Sequence, residues 1–397
     1  MAYQLSQFWL FLCAGFLLTG AGGLVFFKRK IVIDILNIST TVVLAYLSFY
    51  IHIYGNFYDD IIRISEDVVA VHFRGISSFL EQYAGNPLVL VLYAIASFLG
   101  DTRFVSVISV ALSYGLYFIS LSFFCRRKKI MPIVYLILSF FALNALNFVS
   151  CAFNIRFTLA FSLVMFSIEL GELFKPKIMI VLIQLLAVSL HNGMVPIFII
   201  YVIVKYYNDR LYKKLLIILI AWGSFAKFLF PLLQSSSIAA LSSFGNKGVS
   251  YFVEGNSFDQ NVNFSRWAIC FCYLLFLVIL VCFLFIEMKI KSIESKFLVG
   301  LALFSLGAIP MGYTALARYA GAGVVAAVFV VGAVLNQYLT SGIIVNGRRS
   351  LKAYGVHIII ISIFIFTLFL ILVNWYSNMS QYYLDFQSIP SFSYQFK

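Results

Sequence analysis

Runs of 15 to 23 apolar residues, separated by short polar breaks, recur along the whole chain. In lipid such a run has no backbone partner except its own helix, and the two-residue alternation of a barrel strand is absent. The pattern predicts an all-α polytopic membrane protein of about 12 transmembrane helices, over 8–27, 31–53, 103–125, 130–149, 155–174, 178–191, 194–207, 215–233, 267–287, 297–315, 320–341 and 353–375. Pro87 to Gly100, PLVLVLYAIASFLG, is apolar but only 14 residues long, short for a crossing. It is expected to be a re-entrant or half-embedded segment near 87–100, closing a partly helical external loop near 54–102. A second external loop near 234–266 and an external tail at 376–397 complete a single integral membrane domain over 1–397.

Charge orients this bundle. Basic clusters at 28–30, 126–129, 175–177, 205–214, 289–296 and 348–352 hold 19 of the 28 Lys and Arg, and they mark the cytoplasmic loops. Both termini are then outside. The first apolar run has Lys28-Arg29-Lys30 after it and no small-residue cleavage site, which predicts a retained span and not a signal peptide. The net charge of +13 is spread over these loops, so nucleic acid is not an expected partner. The six cysteines sit in or at the ends of apolar runs without a CxxC pair, and they read as packing residues. The glycines at 15, 20, 22, 23, 321 and 323 read as aids to helix packing. No metal-ligand spacing and no cofactor motif is present.

Against this background the stretch from Asn147 to Pro196 is anomalous, because Asn154, Arg156, His191 and Asn192 are polar groups at the ends of apolar runs. Arg156 and His191 are expected to meet at one membrane face. The climb from Lys177 to His191 covers about 22 Å, less than the roughly 30 Å of hydrocarbon, so the His191 turn should sit sunken in a cavity. Nine cations fall outside the cytoplasmic clusters, and of these Arg156, Arg266 and Arg318 flank spans at the outer face while Lys227 lies inside one. Their common level suggests a cationic cavity, and an Arg fork suits a lipid-linked pyrophosphate; the plain alternative is snorkelling to headgroups. His191 is a candidate general base or a donor to a phosphate or sugar oxygen. Asp59 and Asp60 in the first external loop raise each other's pKa, so one of them is a candidate acceptor for a hydroxyl proton.

Taken in order, Asp59-Asp60, NPLVLVLYAIASFLG, NIRFTLAF, LLAVSLHNGMVPIF and ALARYAGAGVVAAVF resemble the EpsG-type family of Wzy-like O-antigen and polysaccharide polymerases over residues 55 to 335. That resemblance carries an acidic external loop, an Arg in an NxxRQxLA-like helix start (here Asn154 and Arg156), a helix-end His (His191) and a late Arg-aromatic pair (Arg318-Tyr319). Phe157 stands where the family often has Gln. The resemblance implies a metal-independent glycosyltransferase of the bacterial inner membrane, multi-pass, with its active site facing the periplasm or exterior. It would join oligosaccharide repeat units carried on undecaprenyl pyrophosphate, one as donor and one as acceptor, in the lipid bilayer and with a possible chain-length regulator protein. Arg156 and Arg318, aided by Lys227 and Arg266, would hold the pyrophosphate, while Asp59, Asp60 or His191 activates the acceptor.

Rival readings are a membrane glycosyltransferase using a polyprenyl-phosphate sugar for O-antigen modification, a lipid-linked glycan flippase, and an O-antigen ligase. A flippase would show twofold internal symmetry and helices broken at the midplane, and neither pattern is evident.

Overall fold

The computed structural model describes residues 2–27, 29–53, 60–80, 82–83, 85–174, 177–206, 209–238, 241–242, 245–246, 248–249, 262, 264–287, 292–340, 351–375, 379 and 382–386. The helices in chain order are α1 (Leu5–Phe27), α2 (Lys30–Ser48), α3 (Asp60–Arg74), α4 (Pro87–Leu99), α5 (Phe104–Arg127), α6 (Pro132–Ala145), α7 (Phe148–Phe153) and α8 (Ile155–Phe174). They continue with α9 (Lys177–Leu190), α10 (Met194–Tyr206), α11 (Asp209–Gln234), α12 (Phe264–Glu287), α13 (Ile293–Gly307), α14 (Tyr313–Thr340) and α15 (Leu351–Val373). Three short strands accompany them: β1 (Ala2–Gln4), β2 (Ile51–Ile53) and β3 (Tyr382–Asp385).

Seven helices among the described residues are long and apolar enough to cross a membrane: α1, α2, α5, α8, α11 over Ile217–Gln234, α12 over Phe264–Phe285, and α14. The chain is therefore a multi-pass, mainly helical membrane protein. Among the described residues the count of about 12 spans is not confirmed. Several apolar runs expected as spans form shorter helices, with 14 residues in α6 and α9, 13 in α10 and 15 in α13. At 1.5 Å per residue these are about 20 Å long. Local chemistry explains the shortening. Pro132 opens α6, and α13 stops before a 3-10 turn at Ile309–Met311 that contains Pro310 and ends on Gly312 at φ 102°. The segment near 87–100 does form a separate short helix, α4, closed by Gly100 in the left-handed region at φ 79°.

The chain divides into two compact units, Met1–Met194 with Thr367–Lys397, and Val195–Phe366. In the first, α5 is the central helix, packed on α2, α4, α6, α7 and α8. Small polar residues permit this crowding: Ser106 and Ser109 donate to the carbonyls of Ala152 and Cys151 at 2.8 and 2.7 Å, which draws α7 against α5. On α1 a stripe of Trp9, Cys13, Phe16 and Gly20 is buried, while Phe11, Leu18 and Phe26 are exposed as a lipid-facing side would be. Trp9 Nε1 donates to Asn144 Oδ1 at 3.2 Å, and Asn37 on α2 bonds Ser139 on α6 at 3.0 Å.

Two ion pairs fasten the basic end of this unit: Arg126 to Asp34 at 3.0 Å and Arg127 to the fully buried Glu169 at 2.7 Å. The opposite end carries a feature the all-α expectation lacked. β3 pairs antiparallel with both β1 and β2, setting Tyr383 opposite Gln4 and His52. This small sheet cuts the expected 31–53 span to a helix ending at Ser48. Three-residue strands are too short for their alternation to stand out beside apolar runs.

In the second unit α14 is the innermost helix, with 83% of its most apolar 18-residue window buried. It packs on α12 and α13. Phe276 and Phe366 stack with ring centres 3.9 Å apart. The closest approach is between α11 and α13, where Gly223 meets the Gly307 carbonyl and Gly307 meets the Leu219 carbonyl, so that a Cβ at either position would overlap backbone. Among the glycines expected to ease packing, Gly20, Gly23 and Gly323 do lie against neighbouring side chains, whereas Gly15, Gly22 and Gly321 face open space. All six cysteines are unpaired thiols; Cys13, Cys125, Cys151 and Cys270 are buried and Cys272 and Cys282 are exposed.

Candidate functional site

Within the first unit, polar side chains gather at the end where α8 begins and α9 stops. Asn147, at φ 53°, caps α7 by accepting from the Ser150 amide at 3.2 Å. The chain breaks again at Asn154 before α8, which sets Arg156 in the first turn of that helix. Packing of α8 against α9 then places the His191 ring edge-on to Phe157, with centres 5.3 Å apart. Phe157 thus acts as an apolar wall on one side of the imidazole. Asn154 itself is exposed.

The His191 turn is tightly specified. Its carbonyl accepts from Met194 N at 2.9 Å, and its ring Nδ1 accepts from the Gly193 amide at 2.9 Å. An amide N–H cannot be accepted by a protonated nitrogen, so the neutral ring carries its proton on Nε2. In that form His191 offers an N–H and is a donor, not a base, at Nε2. Next to it Asn192 Oδ1 accepts from Asn86 Nδ2 at 3.0 Å, which ties the turn to the start of α4.

Through this tie the α3–α4 segment joins the site. Ile64, Val68 and Val71 form the buried stripe of α3, and Asp67 falls between them in register. Tyr83 donates to Asp67 Oδ2 and stands edge-on to Tyr93 of α4, with ring centres 5.7 Å apart. Burial first, then Tyr93 and Asp67, holds the Tyr83 phenol above its ordinary pKa, so it keeps its proton and serves as donor. Asp67, Tyr83 and Tyr93 thus form one contact cluster, and α4 in turn packs on α9, which ends at the His191 turn.

Arg156 differs from the other arginines of this unit whose pairing is clear. Arg103 is held bidentate by Asp101, at 3.0 and 2.7 Å, and lies over the Phe49 ring at 4.1 Å. Arg126 and Arg127 have the carboxylates described above. Arg156 is half-buried, and among the described residues no carboxylate lies within ion-pairing distance of it. A cation held part-way out of water without a counter-ion is disfavoured unless a ligand supplies one.

The remaining candidates lie elsewhere. Asp59 is outside the described residues; Asp60 opens α3, but its side chain is also outside them. In the second unit, Arg266 and Trp267 lie in the first turn of α12, and Trp267 meets Tyr313, the first residue of α14, with ring centres 5.6 Å apart. That contact levels Arg266 with the beginning of α14, where Arg318 follows. Tyr319 is buried edge-on against Phe304 at 4.6 Å, which makes it a packing residue of this unit. Lys227 projects from the exposed side of α11 along with Phe225 and Phe228. A long cationic side chain at such a position can run along the helix surface.

Asp67, Tyr83, Tyr93 and Asn86 were not singled out by the spacing of polar residues. Asp67 had a legible signal, a carboxylate in the i, i+3, i+4, i+7 register of an apolar stripe. The tyrosines had none, being two among 24. No group of three or more His, Cys, Asp or Glu side chains that could hold a metal occurs among the described residues. No family model, curated protein or solved structure matches the chain. Its class is accordingly set by its own residues: a multi-pass helical membrane protein with a half-buried arginine, a donor histidine and a carboxylate–tyrosine pair gathered at one end.

Proposed function

We propose that the chain is a metal-independent glycosyltransferase of the polysaccharide-polymerase type, resembling EpsG-like Wzy proteins. It transfers a glycan from undecaprenyl pyrophosphate to a sugar hydroxyl of a second lipid-linked repeat unit. The observation that carries this reading is the half-buried Arg156 with no carboxylate partner among the described residues. Its guanidinium matches two phosphate oxygens at once, and a pyrophosphate leaving group mainly needs its growing charge met. His191, as an Nε2–H donor, adds a second contact for a phosphate or sugar oxygen. Basic clusters at the other end of the first unit favour an arrangement in the bacterial inner membrane with Arg156 facing the periplasm or exterior.

The test is genetic and biochemical. Removing the protein should collapse the surface-glycan ladder on a gel to single repeat units, and Arg156→Ala should do the same while the variant still accumulates in the membrane and migrates as a monodisperse species in detergent. A ladder of unchanged length after removal rejects the polymerase; if epitope or mass changes instead, transfer of one sugar from a polyprenyl monophosphate takes its place. Full-length polymer from Arg156→Ala rejects the phosphate role.

A further inference from the structure

On the glycosyl-transfer reading above, we infer that Asp67, oriented by Tyr83 and Tyr93, is the group that takes the proton from the acceptor sugar hydroxyl. Three observations converge on it. First, Asp67 stands in register with the buried stripe of α3, half-buried, where a carboxylate gains nothing for packing. Second, only one of its oxygens is engaged: Oδ2 accepts from Tyr83, and among the described residues no donor reaches Oδ1. Third, α3 packs on α4, and α4 is tied through Asn86 and Asn192 to the His191 turn, which ends the helix packed on α8, whose first turn carries Arg156, the candidate holder of the leaving group.

The chemistry balances without any further reactant. The acceptor oxygen forms a bond to the donor's anomeric carbon as its proton passes to Asp67 Oδ1. The bond from that carbon to the pyrophosphate oxygen breaks, its electron pair leaves with the lipid pyrophosphate, and Arg156 meets the added charge. Asp67 then returns the proton to water. Tyr83 and Tyr93 are positioning residues: the Tyr83 hydroxyl fixes the carboxylate's rotation, and Tyr93 fixes Tyr83. His191, whose Nδ1 already accepts from the Gly193 amide, donates and does not compete for the proton.

The experiment compares wild type, Asp67→Asn, Asp67→Glu and Tyr83→Phe in cells lacking the native copy, reading glycan-ladder length against membrane protein level. In parallel, purified wild type and Asp67→Asn are titrated with undecaprenyl pyrophosphate and followed by thermal shift. Expected are a loss of about 100-fold or more in polymer for Asp67→Asn, partial recovery in Asp67→Glu, and a smaller loss in Tyr83→Phe. Undecaprenyl pyrophosphate should shift Asp67→Asn as it shifts wild type, because a proton acceptor is not needed to hold the leaving lipid. Full-length polymer from Asp67→Asn overturns the inference, and so does loss of the lipid-induced shift in that variant, which would mark Asp67 as structural. An unchanged ladder in cells lacking the protein altogether overturns the glycosyl-transfer reading, an outcome distinct from either of these.

Discussion

Gly307→Ala tests the packing of the second unit most sharply, because the helices there meet backbone to backbone. A Cβ at Gly307 would overlap the carbonyl oxygen of Leu219 and come within 2.9 Å of that of Ile220. Neither atom belongs to a side chain that can rotate away, so α13 and α11 must part by roughly 1 Å to clear the methyl, and a gap of that size forfeits a quarter to a half of each dispersion contact along the crossing. Over the twenty or so atom pairs of a tight crossing this amounts to about 1–2 kcal/mol, and the strain of the displaced helices brings the total to about 3 kcal/mol. Gly321→Ala on α14 is the control: nothing lies within 4 Å of its Cβ, and exchanging a helical glycine for alanine stabilises by roughly 0.5–1 kcal/mol. Apparent melting midpoints in detergent, read by fluorescence-detected size-exclusion chromatography, should fall for Gly307→Ala and hold or rise for Gly321→Ala. Equal midpoints for wild type and Gly307→Ala would refute the close crossing.

Three other outcomes follow from the first unit. Arg127→Ala removes the ion pair to Glu169, whose side chain is 0% exposed, and should lower stability by about 3–5 kcal/mol; the double variant Arg127→Met with Glu169→Gln should recover most of that in the same melting assay. His52 has its pKa lowered, by burial first and then by the positive charge of Arg103, with Asp385 opposing. The unfolded chain therefore takes up this proton near pH 6.5 while the folded chain resists, so stability should decline as pH falls below about 6.5, and the decline should be smaller in His52→Asn when midpoints at pH 8 and pH 5.5 are compared. Arg156→Ala, beyond abolishing polymer, should leave stability within about 0.5 kcal/mol of wild type in the same melting assay, since among the described residues no carboxylate loses a partner when it goes.

What the sequence determined by itself was the helical, multi-pass class and the ends of many helices. Unbroken apolar runs have one backbone solution in lipid, and Pro132, Gly100 and the basic loops mark their limits. It also marked Arg156 and His191, because a charge or an imidazole at the end of such a run stands out in one dimension. Helix lengths fell between: Pro310 and Gly312 were visible, but their effect in ending α13 depends on how tightly that turn sits against α11. The β1–β3–β2 sheet joins residues nearly 400 positions apart, and pairing at that distance leaves no local periodicity. Only the tertiary structure decided that Lys227 is exposed, that Tyr319 is packed on Phe304, and that Asp67, Tyr83 and Tyr93 are neighbours. A hydrogen bond between α3 and the loop before α4, or one from Asn86 to the His191 turn, depends on which helix faces touch, and side-chain packing fixes those faces only once the bundle has assembled.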